Sequence, residues 1–226
     1  MIAVDIPPFI RADAQGRLHG LDAWLAQDIA KELGVSLEIV RAAPTFDKVV
    51  ASVARGDADL GISFLSITLA RAKMVYFSHP YLTLRHALLV NRLAWLAESK
   101  KLPARDIRQT TAAIGAQRES THAPAARSAF VRAPLREFGS FEELVAAVER
   151  GEILAALDND FRLRRYFKLH PEASLRMEIQ VQDDLRDLIA IAVRPDSPQL
   201  LAWVNTYLAV KALDLKRDDL LEQFDR

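Results

Sequence analysis

The feature that most constrains the fold is a supersecondary pattern that occurs twice in the chain. Residues Leu37–Gly61 and Glu137–Leu157 each run from a strand or connecting segment through a capped helix and a glycine into an apolar strand. Strands that alternate with amphipathic helices predict an α/β architecture with parallel sheets. Two copies within 226 residues therefore predict two α/β lobes of similar plan.

Local signals place the individual elements within this pattern. Asp22 is the predicted N-cap of a helix that runs to Leu33, where Gly34 stops it. Further helices are predicted at Phe46–Arg55, Ser140–Arg150 and Phe161–Leu169 and within Pro195–Leu213. Strands are predicted at Ile2–Ile6, Ser36–Val40, Asp59–Phe64, Arg85–Val90, Ala112–Gly115, Ile153–Leu157 and Leu188–Val193.

The composition argues against several classes of protein. The chain has 30 basic and 30 acidic residues with no long basic stripe, so the sequence predicts no binding to nucleic acid. It has no cysteine, which excludes disulfides, thiolate metal sites and cysteine nucleophiles. The five histidines have no zinc-like spacing and there is no phosphate loop, so we expect neither a metal nor a cofactor.

The N-terminus and the apolar runs bear on localisation. No apolar run approaches the ~20 residues of a membrane span, and no leader-like segment opens the sequence. Met1 leads directly into Ile2-Ala3-Val4, which has the character of a strand. We therefore expect a mature domain or an excised part of a longer protein, with a cytosolic protein as the alternative.

Four short motifs carry a resemblance to a known family. They are Gly20-Leu21-Asp22, Leu65-Ser66-Ile67-Thr68 followed by Arg71, Phe77-Ser78-His79-Pro80-Tyr81, and Ile191-Ala192-Val193-Arg194. In these motifs the chain resembles the extracytoplasmic solute-binding proteins of family 3, the polar-amino-acid receptors of ABC importers. The resemblance is strong up to about Val90, weak over residues 91–136 and good again after Phe138, whereas the ending from Leu215 departs from the family.

The resemblance implies a two-lobed α/β fold of the periplasmic-binding-protein type II, also called a venus flytrap. Its two hinge strands would be Arg85–Asn91 and Leu188–Arg194. Lobe 1 would then comprise residues 1–88 and 192–226, and lobe 2 would comprise residues 89–191. In a fold of this kind, the lobes close on a small ligand by a hinge motion.

In lobe 1 the resemblance assigns the ligand carboxylate to Arg71, the arginine that follows the Ser-x-Thr motif. A guanidinium presents a planar fork that can hold a carboxylate through two hydrogen bonds. Ser66 and Ser63 match positions whose hydroxyl or amide contacts the ligand, and Phe46 matches an aromatic residue that covers it. Without the family, Arg71 would be a solvated residue, Ser66 a helix cap, and Phe46 a packing residue of its own helix.

Two further residues of lobe 1 are ligand candidates with a structural alternative. Asp5 lies at the end of the first predicted strand, where the family often has a polar contact to a ligand side chain, but it could equally form a turn. Phe64 stands where several relatives carry a small polar residue. Its ring either walls the pocket or packs in the core.

The first departure of lobe 2 from the family lies in a turn. Relatives have a Gly-Thr-Thr turn that also grips the carboxylate, whereas this chain has Glu119-Ser120-Thr121. The hydroxyls of Ser120 and Thr121 are kept, but the glycine, which allows positive φ or a close backbone approach, is lost. We expect Glu119 to restrict that approach or to repel an anion.

The second departure follows the predicted strand that ends at Leu157. Relatives that bind α-amino acids place an aspartate against the ligand ammonium, and the matching position here is Asn159, which brings no charge. Either Asp158 or Asp160 takes that role, or the ligand has no ammonium at this point and is an organic acid. The cluster of carboxylates could equally cap a loop.

Together these residues predict a binding protein rather than an enzyme. The expected function is the capture of a small carboxylate-bearing ligand, in the first instance an amino acid, for delivery to an ABC permease. The expected location is periplasmic or otherwise extracytoplasmic, and the expected state is a monomer. The alternatives are a ligand-sensing domain of a larger, fused membrane protein and a dehydratase-like enzyme in which Glu119 is the general acid.

Overall fold

The computed structural model describes residues 9–40 and 45–211. The predicted strand Ile2–Ile6 and the candidate residue Asp5 lie outside the described residues. The chain divides into two compact units: unit 1 extends up to Thr83 and resumes at Leu188, and unit 2 comprises Leu84–Asp187. The sequence had placed these boundaries at residues 88–89 and 191–192.

The described residues form the following elements in chain order. The strands are β1 (Arg11–Ala12), β2 (Leu18–His19), β3 (Leu60–Gly61), β4 (Tyr76–Phe77), β5 (Leu82–Asn91), β6 (Ile114–Gln117), β7 (Leu135–Phe138), β8 (Ala155–Asn159), β9 (Met177–Ile189) and β10 (Ala192–Val193). The α-helices are α1 (Leu21–Leu33), α2 (Phe46–Arg55), α3 (Arg92–Ser99), α4 (His122–Ala129), α5 (Phe141–Glu149), α6 (Asp160–Leu169) and α7 (Pro198–Lys211).

The described strands of unit 1 pair in an antiparallel manner. β1 pairs with β2, and β10 lies between β3 and β4 with antiparallel partners on both sides. The parallel pairing predicted for this lobe involves the strand Ile2–Ile6, which lies outside the described residues, and stays a prediction. The predicted strand Ser36–Val40 consists of mostly exposed residues that pair with no described strand.

The helix ends of unit 1 follow the glycine signals of the sequence. α1 and α2 both end at a glycine in the left-handed conformation, with φ of 68° at Gly34 and 82° at Gly56. Both predicted stops are confirmed. The predicted N-cap at Asp22 is wrong, because Gly20 occupies that position and Asp22 is buried in the first turn of α1.

Unit 2 contains a five-stranded sheet in the order β7-β6-β8-β5-β9. β6 runs parallel to both β7 and β8, and β5 runs antiparallel to β8. The predicted cap of α5 is confirmed, since the Ser140 hydroxyl accepts a hydrogen bond from the Glu143 amide at 3.1 Å. Helices α3 and α4 were not predicted from the sequence.

The core of unit 2 has two layers, one on each face of the sheet. Ala87, Leu89 and Ala156 pack with residues of α5 and α6, whereas Leu88, Val90 and Leu157 pack with residues of α4. Successive residues of β5 thus face opposite layers, as expected for a strand that is covered on both sides. Because β6, β7 and β8 are parallel, their carboxyl ends lie at one edge of the sheet, where α4, α5 and α6 begin.

Candidate functional site

Arg71 is the most constrained candidate residue of unit 1. It opens a short 3-10 turn, Arg71–Lys73, and its amide donates to the Thr68 hydroxyl at 3.2 Å. Only 8% of the residue is exposed. The alternative that Arg71 is a solvated surface residue does not agree with this burial.

The guanidinium of Arg71 is held by two acceptors within unit 1. Its Nε and Nη2 atoms lie 3.0 and 2.9 Å from Oδ1 of Asp47, and Nη1 donates to the Ser66 carbonyl at 3.0 Å. The two hydrogen bonds use the Nε donor and one donor of Nη1, so N–H donors remain on both terminal nitrogens. One N–H from each terminal nitrogen suits the two oxygens of a carboxylate. The guanidinium carbon also lies 6.0 Å from the centre of the Phe46 ring.

The turn that precedes Arg71 contains the other serine candidates. Ser63 and Ser66 are both buried, and Ser66 forms a backbone bridge with Ile189. The Ser63 hydroxyl has no hydrogen-bond partner among the described residues. Phe64, which lies between them, has a φ of 51°, and its ring packs on Phe9 with 4.0 Å between the ring centres.

Asp22 holds this turn in place through two hydrogen bonds, a role that sequence reasoning missed. Its Oδ2 accepts the Phe64 amide at 2.6 Å, and its Oδ1 accepts the Tyr81 hydroxyl at 2.7 Å. Burial raises the pKa of Asp22 to about 7, against the opposite effect of the hydrogen bonds from Tyr81 and Phe64. The signal was present in the sequence, because Asp22 and Tyr81 both belong to the motifs that carry the family resemblance.

The candidates of unit 2 lie at the carboxyl ends of β6 and β8. Glu119 is exposed and has a φ of 56°, the left-handed conformation that a glycine would adopt most easily. The Ser120 hydroxyl donates to the Gln117 carbonyl at 2.6 Å, and Thr121 is the N-cap position of α4. The turn thus has left-handed geometry at a residue that is not glycine.

The three polar residues at the end of β8 are engaged within unit 2. Asn159 caps α6, and its side-chain oxygen accepts the Arg162 amide at 2.7 Å. Asp158 accepts the Asn159 amide at 2.8 Å and lies 3.4 Å from Nε2 of His122 and 3.3 Å from Nη1 of Arg162. Asp160 accepts the Arg85 amide at 3.3 Å.

The described part of the chain contains neither a metal-type cluster nor a membrane-spanning helix. Over residues 9–40 and 45–211, no cluster of three or more His, Asp and Glu side chains could hold a metal ion. Within the same ranges, no helix has the length and apolar character needed to cross a bilayer.

Comparison with known proteins agrees with the resemblance. The model of bacterial extracellular solute-binding proteins, family 3, matches residues 1–224. The ABC transporter arginine-binding protein 1 of Escherichia coli strain K12 is 23% identical over 215 residues, which cover 94% of this chain and 84% of the relative. A shorter match, 35% identical over 79 residues, covers 34% of this chain and 28% of the cyclohexadienyl dehydratase of Pseudomonas aeruginosa.

Solved structures give the fold. An ancestral amino acid-binding protein, a precursor of cyclohexadienyl dehydratase, has a TM-score of 0.75 at 27% identity and covers 100% of this chain and 94% of its own. An amino acid ABC transporter substrate-binding protein from Streptococcus pneumoniae, bound to L-arginine, has a TM-score of 0.75 at 27% identity, with 99% and 93% covered. The predicted fold class, periplasmic-binding-protein type II, is confirmed. The chain belongs to the bacterial extracellular solute-binding proteins of family 3, and its role is to bind a solute.

Proposed function

We propose that this chain binds a small solute of the amino-acid class through a carboxylate of the solute, which Arg71 holds. The observation that carries the proposal is a buried guanidinium that Asp47 and Ser66 hold in place and that keeps N–H donors on both terminal nitrogens. A guanidinium that is already fixed loses little freedom when the ligand binds, which favours affinity. Phe46 is the nearby ring that covers the ligand in this proposal.

The partner and the location are proposed from the family and its relatives. The relatives include arginine-binding proteins of ABC transporters, so we propose that the bound solute is delivered to an ABC permease outside the cytoplasm. Transmission to a fused membrane protein is the alternative form of the same role. The proposed active species is a monomer that binds no nucleic acid, and hinge closure on the solute is part of the proposal.

The proposal includes binding without chemical change. Glu119 is the candidate acid of the rival dehydratase-like function, which the similarity to a cyclohexadienyl dehydratase favours. Glu119 is exposed, whereas burial is what raises the pKa of a carboxyl that acts as a general acid. Proton NMR of the ligand after prolonged incubation with the protein tests this point. We expect the ligand to be recovered unchanged, and a dehydrated product would establish the enzyme.

The binding role is tested with an Arg71→Gln variant in calorimetric titrations against a panel of amino acids and small organic acids. We expect at least one panel member to bind the wild type and the variant to lose about 10- to 100-fold in affinity, because a hydrogen-bonded charge is removed. Arg55→Gln is the matched control, since Arg55 is exposed and pairs with Asp57. Equal affinity of Arg71→Gln and the wild type would contradict the proposed role of Arg71.

A further inference from the structure

Arg162 contacts the carboxyl ends of three neighbouring parallel strands of unit 2. Its Nη1 donates to Oε1 of Gln117, the last residue of β6, at 3.0 Å, and lies 3.3 Å from Oδ2 of Asp158 in β8. Its guanidinium stacks 4.0 Å above the ring of Phe141, the first residue of α5, which follows β7. Ligands of open α/β sheets bind at this edge, outside the carboxyl ends of the strands.

The guanidinium of Arg162 is held in place, but its hydrogen bonds use only one of its three nitrogens. Both polar contacts use Nη1, so the three N–H groups on Nε and Nη2 have no acceptor among the described residues. The side chain is 39% exposed, which leaves these donors within reach of a solute. A cation held by an aromatic face and two acceptors is oriented before a ligand arrives.

The acidic residues at the same edge are neutralised inside unit 2. Asp158 lies within 3.4 Å of His122 and within 3.3 Å of Arg162, and both of its oxygens are used. Asp160 lies 3.8 Å from Nη2 of Arg85 and 3.9 Å from Nε of Arg164. An ammonium group removed from water needs an acceptor of its own, and these carboxylates are already committed to cations. Glu119 is exposed and would leave an ammonium in solvent.

We propose that Arg162 is a ligand-binding residue of unit 2 that holds an acidic group of the solute, so that a dicarboxylate binds more tightly than its monoamide. The inference rests on the proposed function, the binding of a carboxylate-bearing solute. Nε and Nη2 of Arg162 form a side-on pair of donors that suits bidentate binding of a carboxylate. An α-ammonium group contributes little, because the acids beside Asn159 are already paired.

Matched ligand pairs test this assignment by isothermal titration calorimetry. Glutarate and glutaramate differ only in a carboxylate against an amide, and L-glutamate and L-glutamine differ in the same way. We expect the wild type to bind the dicarboxylate of each pair about 10- to 100-fold more tightly. We expect Arg162→Gln to lose that preference and Arg162→Lys to keep part of it. The control Arg150→Gln, an exposed arginine of unit 2 that pairs with Glu152, should keep all of it.

Several outcomes would overturn the proposed role of Arg162 and leave the proposed role of Arg71 unchanged. They are equal affinity for the two members of each pair, an unchanged preference in Arg162→Gln, and tighter binding of L-glutamine than of L-glutamate that disappears in Glu119→Gln. Thermal melts of each ligand-free variant check that the fold is intact, and Arg162→Lys carries the test if Arg162→Gln does not fold. Binding by no member of the amino-acid and organic-acid panel would contradict the proposed function itself.

Discussion

The turn before Arg71 in unit 1 and the turn before α4 in unit 2 each contain a non-glycine residue in the left-handed conformation. In unit 1 this residue is Phe64, whose amide donates to the buried Asp22 and whose ring packs on Phe9. In unit 2 it is Glu119, which is exposed and has no comparable contacts among the described residues. The same backbone strain is therefore compensated by tertiary contacts in one unit and not in the other.

Arg71 and Arg162, the candidate ligand-binding arginines of the two units, also differ in exposure and in hydrogen bonding. Arg71 is buried and keeps N–H donors on its terminal nitrogens Nη1 and Nη2 for a ligand. Arg162 is partly exposed and keeps the donors on Nε and Nη2. In unit 1 the guanidinium of Arg71 is thus already fixed for binding. In unit 2 the guanidinium of Arg162 lies beside Asp158, and both Asp158 and Asp160 already have partners. The difference teaches that the two units of this chain offer different chemistry to a carboxylate.

Phe64→Gly is the strongest test of the difference between the turns that contain Phe64 and Glu119. The substitution relieves the left-handed strain, but it removes the ring that packs on Phe9, so we expect a net loss of about 2–3 kcal/mol in the free energy of unfolding. Urea denaturation measures this loss. Leu69→Ala, at an exposed position nearby, is the control and should change stability by no more than about 0.5 kcal/mol. A stabilised Phe64→Gly variant would mean that the ring contacts contribute little.

The carboxyl of Asp22 gives unit 1 a pH dependence of stability. Its pKa is raised from 3.8 to about 7 by burial, so the folded chain holds this proton more tightly than the unfolded chain. Its contribution to stability is therefore present at about pH 4, falls as the pH rises to about 7, and is level above that. At about 1.4 kcal/mol per pKa unit, the expected fall is on the order of 4 kcal/mol.

Urea denaturation of the wild type and Asp22→Asn between pH 4 and pH 8 measures this contribution. The asparagine keeps an acceptor for the Phe64 amide but cannot ionise, so we expect the difference between the two proteins to change with pH in the window from about 4 to about 7. A constant difference across that window would show that Asp22 does not titrate there.

Asn159→Ala tests whether the Asn159 side chain in unit 2 stabilises the protein as the N-cap of α6. The side chain caps α6 through the Arg162 amide, so we expect its loss to cost about 1 kcal/mol of stability. Asn159→Asp keeps the cap and should unfold at nearly the wild-type urea concentration. Equal stability of the alanine variant and the wild type would remove the capping role and reopen Asn159 as a ligand residue.

Glu119→Gly is expected to have the smallest effect, and its sign is opposite to that of Phe64→Gly. Glycine adopts a φ of 56° without a Cβ penalty, and no packing is lost at this exposed position, so we expect a gain of about 0.5–1 kcal/mol. Glu119→Ala keeps the Cβ and should show no gain. A loss of stability in Glu119→Gly would reveal contacts of the glutamate that offset its strain.

The sequence predicted the ends of helices better than the pairing of strands. The glycines that stop α1 and α2 and the Ser140 cap of α5 were predicted because local backbone chemistry decides them. The antiparallel pairing of β10 could not be predicted, because it joins residues from opposite ends of the chain. Arg71 was found from a motif, but its contact with Asp47 depends on how α2 packs.

In unit 2 the sequence raised the question of Asn159 but could not answer it. The side-chain oxygen of an asparagine can cap a helix or face a ligand, and only the structure places it on the Arg162 amide. The stacking of Arg162 on Phe141 joins two helices and leaves no local signal in the sequence. The Arg162 side chain is 39% exposed, so Arg162 is not a fully solvated arginine of α6.

The most direct test of the central claim is a thermodynamic cycle that couples Arg71 to the ligand carboxylate. Calorimetry would measure the wild type and Arg71→Gln against the tightest ligand of the panel and against that ligand with the carboxylate replaced by an amide. We predict that the two changes are not additive, with a coupling free energy of about 1.5–3 kcal/mol, because each removes the same interaction. Additive losses would contradict the claim that Arg71 holds the carboxylate.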